Sequence, residues 1–139
     1  MAAEFRLEIV TPLGKKFDGM IDGCVFRTTE GDIGILAGHS PYVAAIEVGE
    51  IKVHTADGKT RYAAAADGFA HVTGDFMRIL VSSCDWAEEI DADKAKEEKE
   101  AARAKVAQAQ SPEEKKLAQY VLQKARVRRR VAKKALQKA

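Results

Sequence analysis

The apolar positions change their spacing once along the chain, near Asp85. Before it, short alternating or β-branched runs are separated by glycine-containing turns; after it, apolar residues recur at helical spacing. Phe5, Leu7 and Ile9 alternate with Arg6 and Glu8, which predicts a half-buried strand. Pro12-Leu13-Gly14-Lys15 reads as a turn. Met20–Thr29 is apolar and β-branched, with Gly23 inside it as a bulge signal. Ile33–Leu36 and Tyr42–Ile46 flank a Gly38-His39-Ser40-Pro41 loop. Ile51, Val53 and Thr55 alternate with Lys52 and His54. Asp57-Gly58 then joins this strand to Lys59–Ala66 as a hairpin, since glycine accepts a positive φ. Asp67-Gly68 and Gly74-Asp75 punctuate the last two strands, Phe69–Thr73 and Phe76–Ser82. Turns at roughly eight- to twelve-residue spacing predict an all-β sandwich or barrel.

Two helices are predicted beyond Asp85. Asp91 stands at an N-cap position with Asp93 in the first turn, where a carboxylate favours the helix dipole. Ser111-Pro112-Glu113-Glu114 puts Ser at N-cap, Pro at N1 and Glu at N3, a capping box. The helices then run over about 91–108 and 112–137, and the connector permits only a hairpin or a near-continuous rod. Their apolar faces are thin. The first offers Ala95, Ala102, Val106 and Ala109; the second offers Leu117, Val121, Leu122, Ala125, Ala132 and Leu136. Arg128 and Arg129 fall where the next turn of that stripe should be. At about 25 cal/mol per Å² of apolar burial, alanine faces hold a hairpin weakly, so it opens at modest cost. The acidic run Glu97, Glu98 and Glu100 is available to pair with the second helix. Exposed pairs of this kind contribute about 0–1 kcal/mol each.

Charge sharpens the division. Residues 1–86 hold 8 Lys+Arg against 12 Asp+Glu; residues 87–139 hold 15 against 9, so a total of +2 hides halves of −4 and +6. Lys115 to Ala139 contains ten basic residues and no acidic one. A helix this cationic must face water or meet an acidic partner. The domain boundaries expected are 1–86 for the β part and 87–139 for the helical part.

Sites for chemistry are scarce. Cys24 and Cys84 are far apart in sequence without a CxxC, and read as free buried thiols suited to a reducing compartment. His39, His54 and His71 have no metal-ligand spacing, so no metal is expected. No GxSxG, P-loop or GxGxxG is present, and no carboxylate pair is set for acid–base work, so the chain is not read as an enzyme. Met1-Ala2-Ala3-Glu4-Phe5-Arg6 lacks the pattern of a signal peptide, and the longest uncharged stretch, Ile33–Ile46, is too short to span a bilayer.

One segment is specific in its order: Glu30-Gly31-Asp32-Ile33-Gly34-Ile35-Leu36-Ala37-Gly38-His39-Ser40-Pro41. It resembles the EGELGILPGHAPL signature of the epsilon subunits of bacterial F-type ATP synthases. Leu7-Glu8-Ile9-Val10-Thr11-Pro12-Leu13-Gly14 resembles that family's opening LxIVTPxG strand, and Asp67-Gly68-Phe69-Ala70-His71-Val72 its GGFAEV strand. The Ala-rich two-helix C-terminus matches as well. Ala37 replaces a common Pro, Tyr42 a Leu and Asp67 the first Gly, which alters local turns and packing.

The resemblance implies an N-terminal β-sandwich with a C-terminal antiparallel helical hairpin. It implies a non-catalytic subunit of a proton- or sodium-translocating ATP synthase, peripheral on the cytoplasmic face of a bacterial inner membrane. The sandwich would bind the gamma subunit and the c-ring within the rotating central stalk, meeting the membrane only through the c-ring. Asp32, His39, Ser40 and Pro41 match the c-ring-facing loop; their plainer reading is as turn residues. The hairpin would inhibit ATP hydrolysis by extending along gamma to the alpha and beta subunits. Arg126, Arg128, Arg129, Arg130 and Lys133 are the residues expected to face acidic beta-subunit side chains, unless they form a merely solvated face.

Some members of the family bind ATP on the hairpin through an I(L)DxxRA motif. The matching residues are Ile90, Asp91 and Lys94, with Arg128 retained on the second helix. Lys94 stands in place of the motif's arginine, and lysine does not replace arginine at a phosphate fork. Ala101 and Lys124 also stand where ATP-binding relatives use arginine. Weak ATP binding or none is expected, and no other cofactor. The competing reading is an RNA-binding β-barrel with a basic tail. The tail suits phosphates, but the net-acidic body shows no aromatic-basic stacking surface, so no nucleic-acid partner is expected.

Overall fold

A computed structural model describes residues 3–137 of the chain. The chain forms two compact units that divide between Asp85 and Trp86. Trp86 falls with the second unit rather than the first. Its backbone N–H donates to Glu89 Oε1 at 2.9 Å, tying it to the 3-10 turn Ala87–Glu89.

The strands are β1 Phe5–Thr11, β2 Gly14–Thr28, β3 Gly31–Leu36, β4 Tyr42–Thr55, β5 Thr60–Thr73 and β6 Phe76–Trp86, all in the first unit except the last residue of β6, Trp86. The order is β1-β6-β5-β4-β2-β3, and β1 also pairs with β2. The first half of β2 pairs antiparallel with β1, from Thr11↔Gly14 to Phe5↔Ile21. Its second half pairs with β3 on one side and β4 on the other. The switch falls at the register shift between Ile21 and Gly23, so the bulge expected near Gly23 is where one strand passes between two layers. Leu7, Ile9, Ile21, Phe26, Ile35, Ile51, Val53, Val72, Met77 and Ile79 fill the interior, each at most 1% exposed.

Two expected strand breaks are absent. Tyr42–Ile46 and Ile51–Thr55 are parts of one strand, β4. The residues between them are accommodated as a bulge, where the pairing with β2 steps from Phe26↔Ile51 to Thr28↔Ile46. A Cβ on Gly49 would lie 2.5 Å from Arg27 Cβ, so the bulge needs glycine there. Asp67-Gly68 likewise does not end a strand. The β4–β5 ladder keeps one register across it, Ile46↔Gly68 and then Gly49↔Ala65. Asp67 absorbs the distortion with a left-handed φ of 43°. Strand pairing on both sides outweighs the local turn preference. Asp57-Gly58 does form the expected turn. Gly58 takes φ 87°, and Thr55 N–H donates to Lys59 O at 2.9 Å.

The second unit is a pair of helices, α1 Ala92–Gln108 and α2 Pro112–Gln137, packed on each other as a hairpin. Asp91 Oδ1 accepts from Asp93 N–H at 3.0 Å and Lys94 N–H at 3.1 Å, the predicted N-cap. Ser111 Oγ accepts from Glu114 N–H at 3.1 Å, while Glu114 Oε2 reaches back to Gln110 N–H, one residue before the cap. Ala102, Leu122 and Ala125 form the seam, with Val106 packed against them. Leu117 and Val121 depart from the expected stripe, being 66% and 45% exposed. They border a groove of about 340 Å³ with Ala102, Lys105 and Ala118, because small alanines near the connector leave the helices underfilled. Val127 and Val131, outside the expected stripe, are buried at 1% and 0%. The side chain of Leu136, also expected in that stripe, lies outside the described residues, as do Met1-Ala2.

Candidate functional sites on the sandwich and the hairpin

Four c-ring-facing residues were expected on one loop, and the structure divides them. Gly38, at φ 79°, turns the chain after β3, and His39 N–H donates to Leu36 O at 3.2 Å. His39 Nδ1 lies 2.7 Å from Ser40 O, and its ring meets Tyr42 edge-on at 5.8 Å. His39, Ser40 and Pro41 therefore form one ordered turn with Ser40 and Pro41 exposed. Asp32 sits near the other end of β3, about 13 Å of strand away from Leu36. There it pairs across the β2–β3 ladder with Arg27, Nη1 to Oδ1 at 3.4 Å.

An apolar surface accompanies this turn and was not legible as such in the sequence. Val43 is 63% and Phe69 59% exposed, and Leu36 beside Gly38 is 69% exposed. The pairs Val43↔His71 and Ala45↔Phe69 put these side chains on one face of the β4–β5 ladder. The signal was Phe69 itself, an aromatic residue on the outward phase of the Ala70, Val72 alternation.

A second missed feature lies on β1. Alternation with Leu7 and Ile9 would put Glu8 on the open face, yet Glu8 is only 6% exposed. Its register partners are Asp18 on β2 and Arg78 on β6. Lys15 Nζ lies 3.0 Å from Glu8 Oε2, and Arg78 reaches Oε1 at 3.1 Å. Arg6 and Lys15 also grip Asp18, at 2.9 and 3.2 Å. The Lys15 hydrogen bond, aided by Arg78 against a desolvation cost, holds the Glu8 carboxyl below its ordinary value. In the core, burial pushes the Cys24 thiol up to about 12, so it stays protonated and unreactive.

On the hairpin, the residues matched to the nucleotide motif differ in burial and in their partners. Ile90 is buried, Asp91 is occupied as a cap, and Lys94 is exposed. Arg128, on α2, faces Glu98, one turn beyond Lys94 on α1, at 3.9 Å, in a pocket of about 300 Å³ with Ala101, Lys105 and Val121. This ion pair joins the acidic run of α1 to α2 as the charge pattern anticipated. Arg126, Arg130 and Lys133 are exposed, and Arg129 is half-buried. Among the described residues no cluster of His, Cys, Asp and Glu could hold a metal ion, and no helix is long and apolar enough to cross a membrane.

A closed β unit followed by a cationic two-helix hairpin defines a narrow class. The family described as ATP synthase, Delta/Epsilon chain, beta-sandwich domain matches residues 4–87. The ATP synthase epsilon chain of Alkaliphilus oremlandii is 38% identical over 79% of this chain and 81% of its own length. The sodium ion specific ATP synthase epsilon chain of Propionigenium modestum is 35% identical over 94% of each chain. A chain in the cryo-EM structure of the Euglena gracilis mitochondrial ATP synthase, OSCP/F1/c-ring, superposes with a TM-score of 0.82 at 25% identity, covering 99% of this chain and 83% of that one. This chain belongs to the ATP synthase epsilon-chain family.

Proposed function

We propose that this chain is a non-catalytic subunit of the central stalk of an F-type ATP synthase. The β unit docks on gamma and the c-ring, using the His39-Ser40-Pro41 turn and the apolar face of Val43 and Phe69. Exposed apolar surface of this kind on a small domain marks a contact site, and the similar Euglena chain comes from an F1/c-ring assembly. The helical unit is a regulatory arm that inhibits ATP hydrolysis when α2 meets acidic side chains of the catalytic subunits. One observation carries this reading: α2 is basic from Lys115 onward, and the seam it shares with α1 is built on Ala102, Leu122 and Ala125, with Arg128 facing Glu98 at 3.9 Å. A helix so charged and so lightly held is poised to exchange its partner for an acidic one.

The test is charge reversal. Arg126, Arg128 and Arg129 replaced together by Glu should relieve inhibition of a reconstituted alpha, beta and gamma core, with binding to gamma intact. Inhibition equal to that of the unaltered chain would refute the electrostatic contact. ATP is proposed as a weak ligand of the Ile90, Asp91, Lys94 and Arg128 set or none, because Lys94 stands where the motif has arginine. Arg128→Ala should therefore leave any ATP-dependent change in the full chain unaltered, as read by fluorescence or calorimetric titration.

A further inference from the structure

The groove beside the helix connector has the make-up of a ligand site. Ala102, Leu117, Ala118 and Val121 line it with apolar surface, and Lys105, Gln108 and Glu114 stand at its polar margin. Its volume of about 340 Å³ falls within the roughly 300–1,000 Å³ of small-molecule pockets. It adjoins the Arg128 pocket through Ala102, Lys105 and Val121, so the trough follows the seam between the helices. From Glu114 to Val121 α2 rises about 10 Å, room for a short alkyl chain laid along the helix. The larger apolar side chains of its wall are left wet, Leu117 and Val121 being 66% and 45% exposed.

The polar margin selects the charge of an occupant. Glu114 is committed to the start of α2: its Oε2 accepts from Gln110 N–H and its own N–H donates to Ser111 Oγ, both at 3.1 Å. Lys105 and Gln108, one turn apart on α1, are not committed. Among the described residues neither the Lys105 ammonium nor the Gln108 amide has a hydrogen-bond or ion-pair partner, and Glu98 in the adjoining pocket faces Arg128. An apolar trough with an unpaired ammonium and a free amide at its margin suits an amphiphile with an anionic head.

We infer that this groove binds a medium-chain fatty acid anion, its alkyl chain over Leu117, Ala118 and Val121 and its carboxylate held by Lys105 and Gln108. A cationic head would meet the Lys105 charge, and a neutral head would leave that charge unpaired. The inference concerns a small ligand and needs no catalytic partner for the arm, so it stands or falls separately from the proposed function.

The test is an NMR titration of the full chain with octanoate, hexanoate, octanol and octyltrimethylammonium at fixed pH and ionic strength. Octanoate should shift, saturably, the amides around residues 102–108 and 114–121, and should bind more tightly than octanol. Hexanoate should bind roughly five- to tenfold more weakly, having less chain to bury. Lys105→Met keeps the stem and loses the charge; it should weaken octanoate binding by about three- to fivefold and leave octanol unchanged. Leu117→Ser, on an exposed side chain, should weaken both. Octanol or octyltrimethylammonium matching octanoate in the unaltered chain would overturn the inference, as would octanoate affinity unaffected by Lys105→Met. So would shifts centred on Val43 and Phe69 in place of the groove, or groove shifts on dilution of the chain alone, which would assign the groove to a second copy.

Discussion

At the scale of single residues, the informative positions are those where the polar and apolar pattern misleads. Glu8 looks like a surface residue of an edge strand and is a buried carboxylate held by Lys15 and Arg78. Its folded-state pKa is depressed, so its contribution to stability is fully present above the ordinary carboxylate value of 4.5. That contribution is lost as pH falls through the lowered value. Glu8→Gln should therefore be less stable at neutral pH, and it should lose less further stability than the unaltered chain between about pH 5 and pH 2. Urea unfolding across that range reads both effects. Gly68 is a steric case. An added Cβ would lie 1.8 Å from Leu80 O, so Gly68→Ala should destabilise by about 3 kcal/mol or more. Gly58 has open space and only its φ of 87° to lose, so Gly58→Ala should cost nearer to 1 kcal/mol. Equal losses in the two variants, measured by denaturant melts, would contradict the close approach of β5 and β6.

At the scale of elements, helix starts were readable because their chemistry is local. Asp91 and Ser111 cap within a few residues of themselves, and both caps form as their sequences require. Asp91→Ala should remove about 1 kcal/mol from α1, seen as faster amide exchange over its first turn. Leu122 is the one large aliphatic residue in the alanine seam, and Leu122→Ala should cost about 2–3 kcal/mol of hairpin stability. Strand ends were less readable. Asp67-Gly68 and the residues around Gly49 carry turn chemistry, but pairing with neighbours far along the chain draws them into β5 and β4. The same limit hid the candidate docking face. Phe69 points outward only because the register sets it beside Ala45, and a register is a relation between strands. Asp32 and His39 belong to one motif, yet most of β3 lies between them. The basic run of α2 was fully legible, since charge counts need no geometry.

At the scale of the whole molecule, the chain sets a net-acidic β unit before a net-basic helical one. The first carries the exposed apolar face suited to lasting contacts. The second carries charge, whose contacts are exchangeable and sensitive to salt. That division of labour suits a subunit that must stay attached while one part changes partner. Moving such an arm from mostly held to mostly released takes about 5.5 kcal/mol of differential affinity, within the reach of several charge-assisted contacts. On the proposed reading the arm is the brake. The most direct measurement is ATP hydrolysis by the alpha, beta and gamma core, with either the full chain or a chain ending at Glu89 added back. Both should bind the core, and only the full chain should slow hydrolysis. Equal inhibition by the shortened chain, or full binding of both with no inhibition by either, would contradict it.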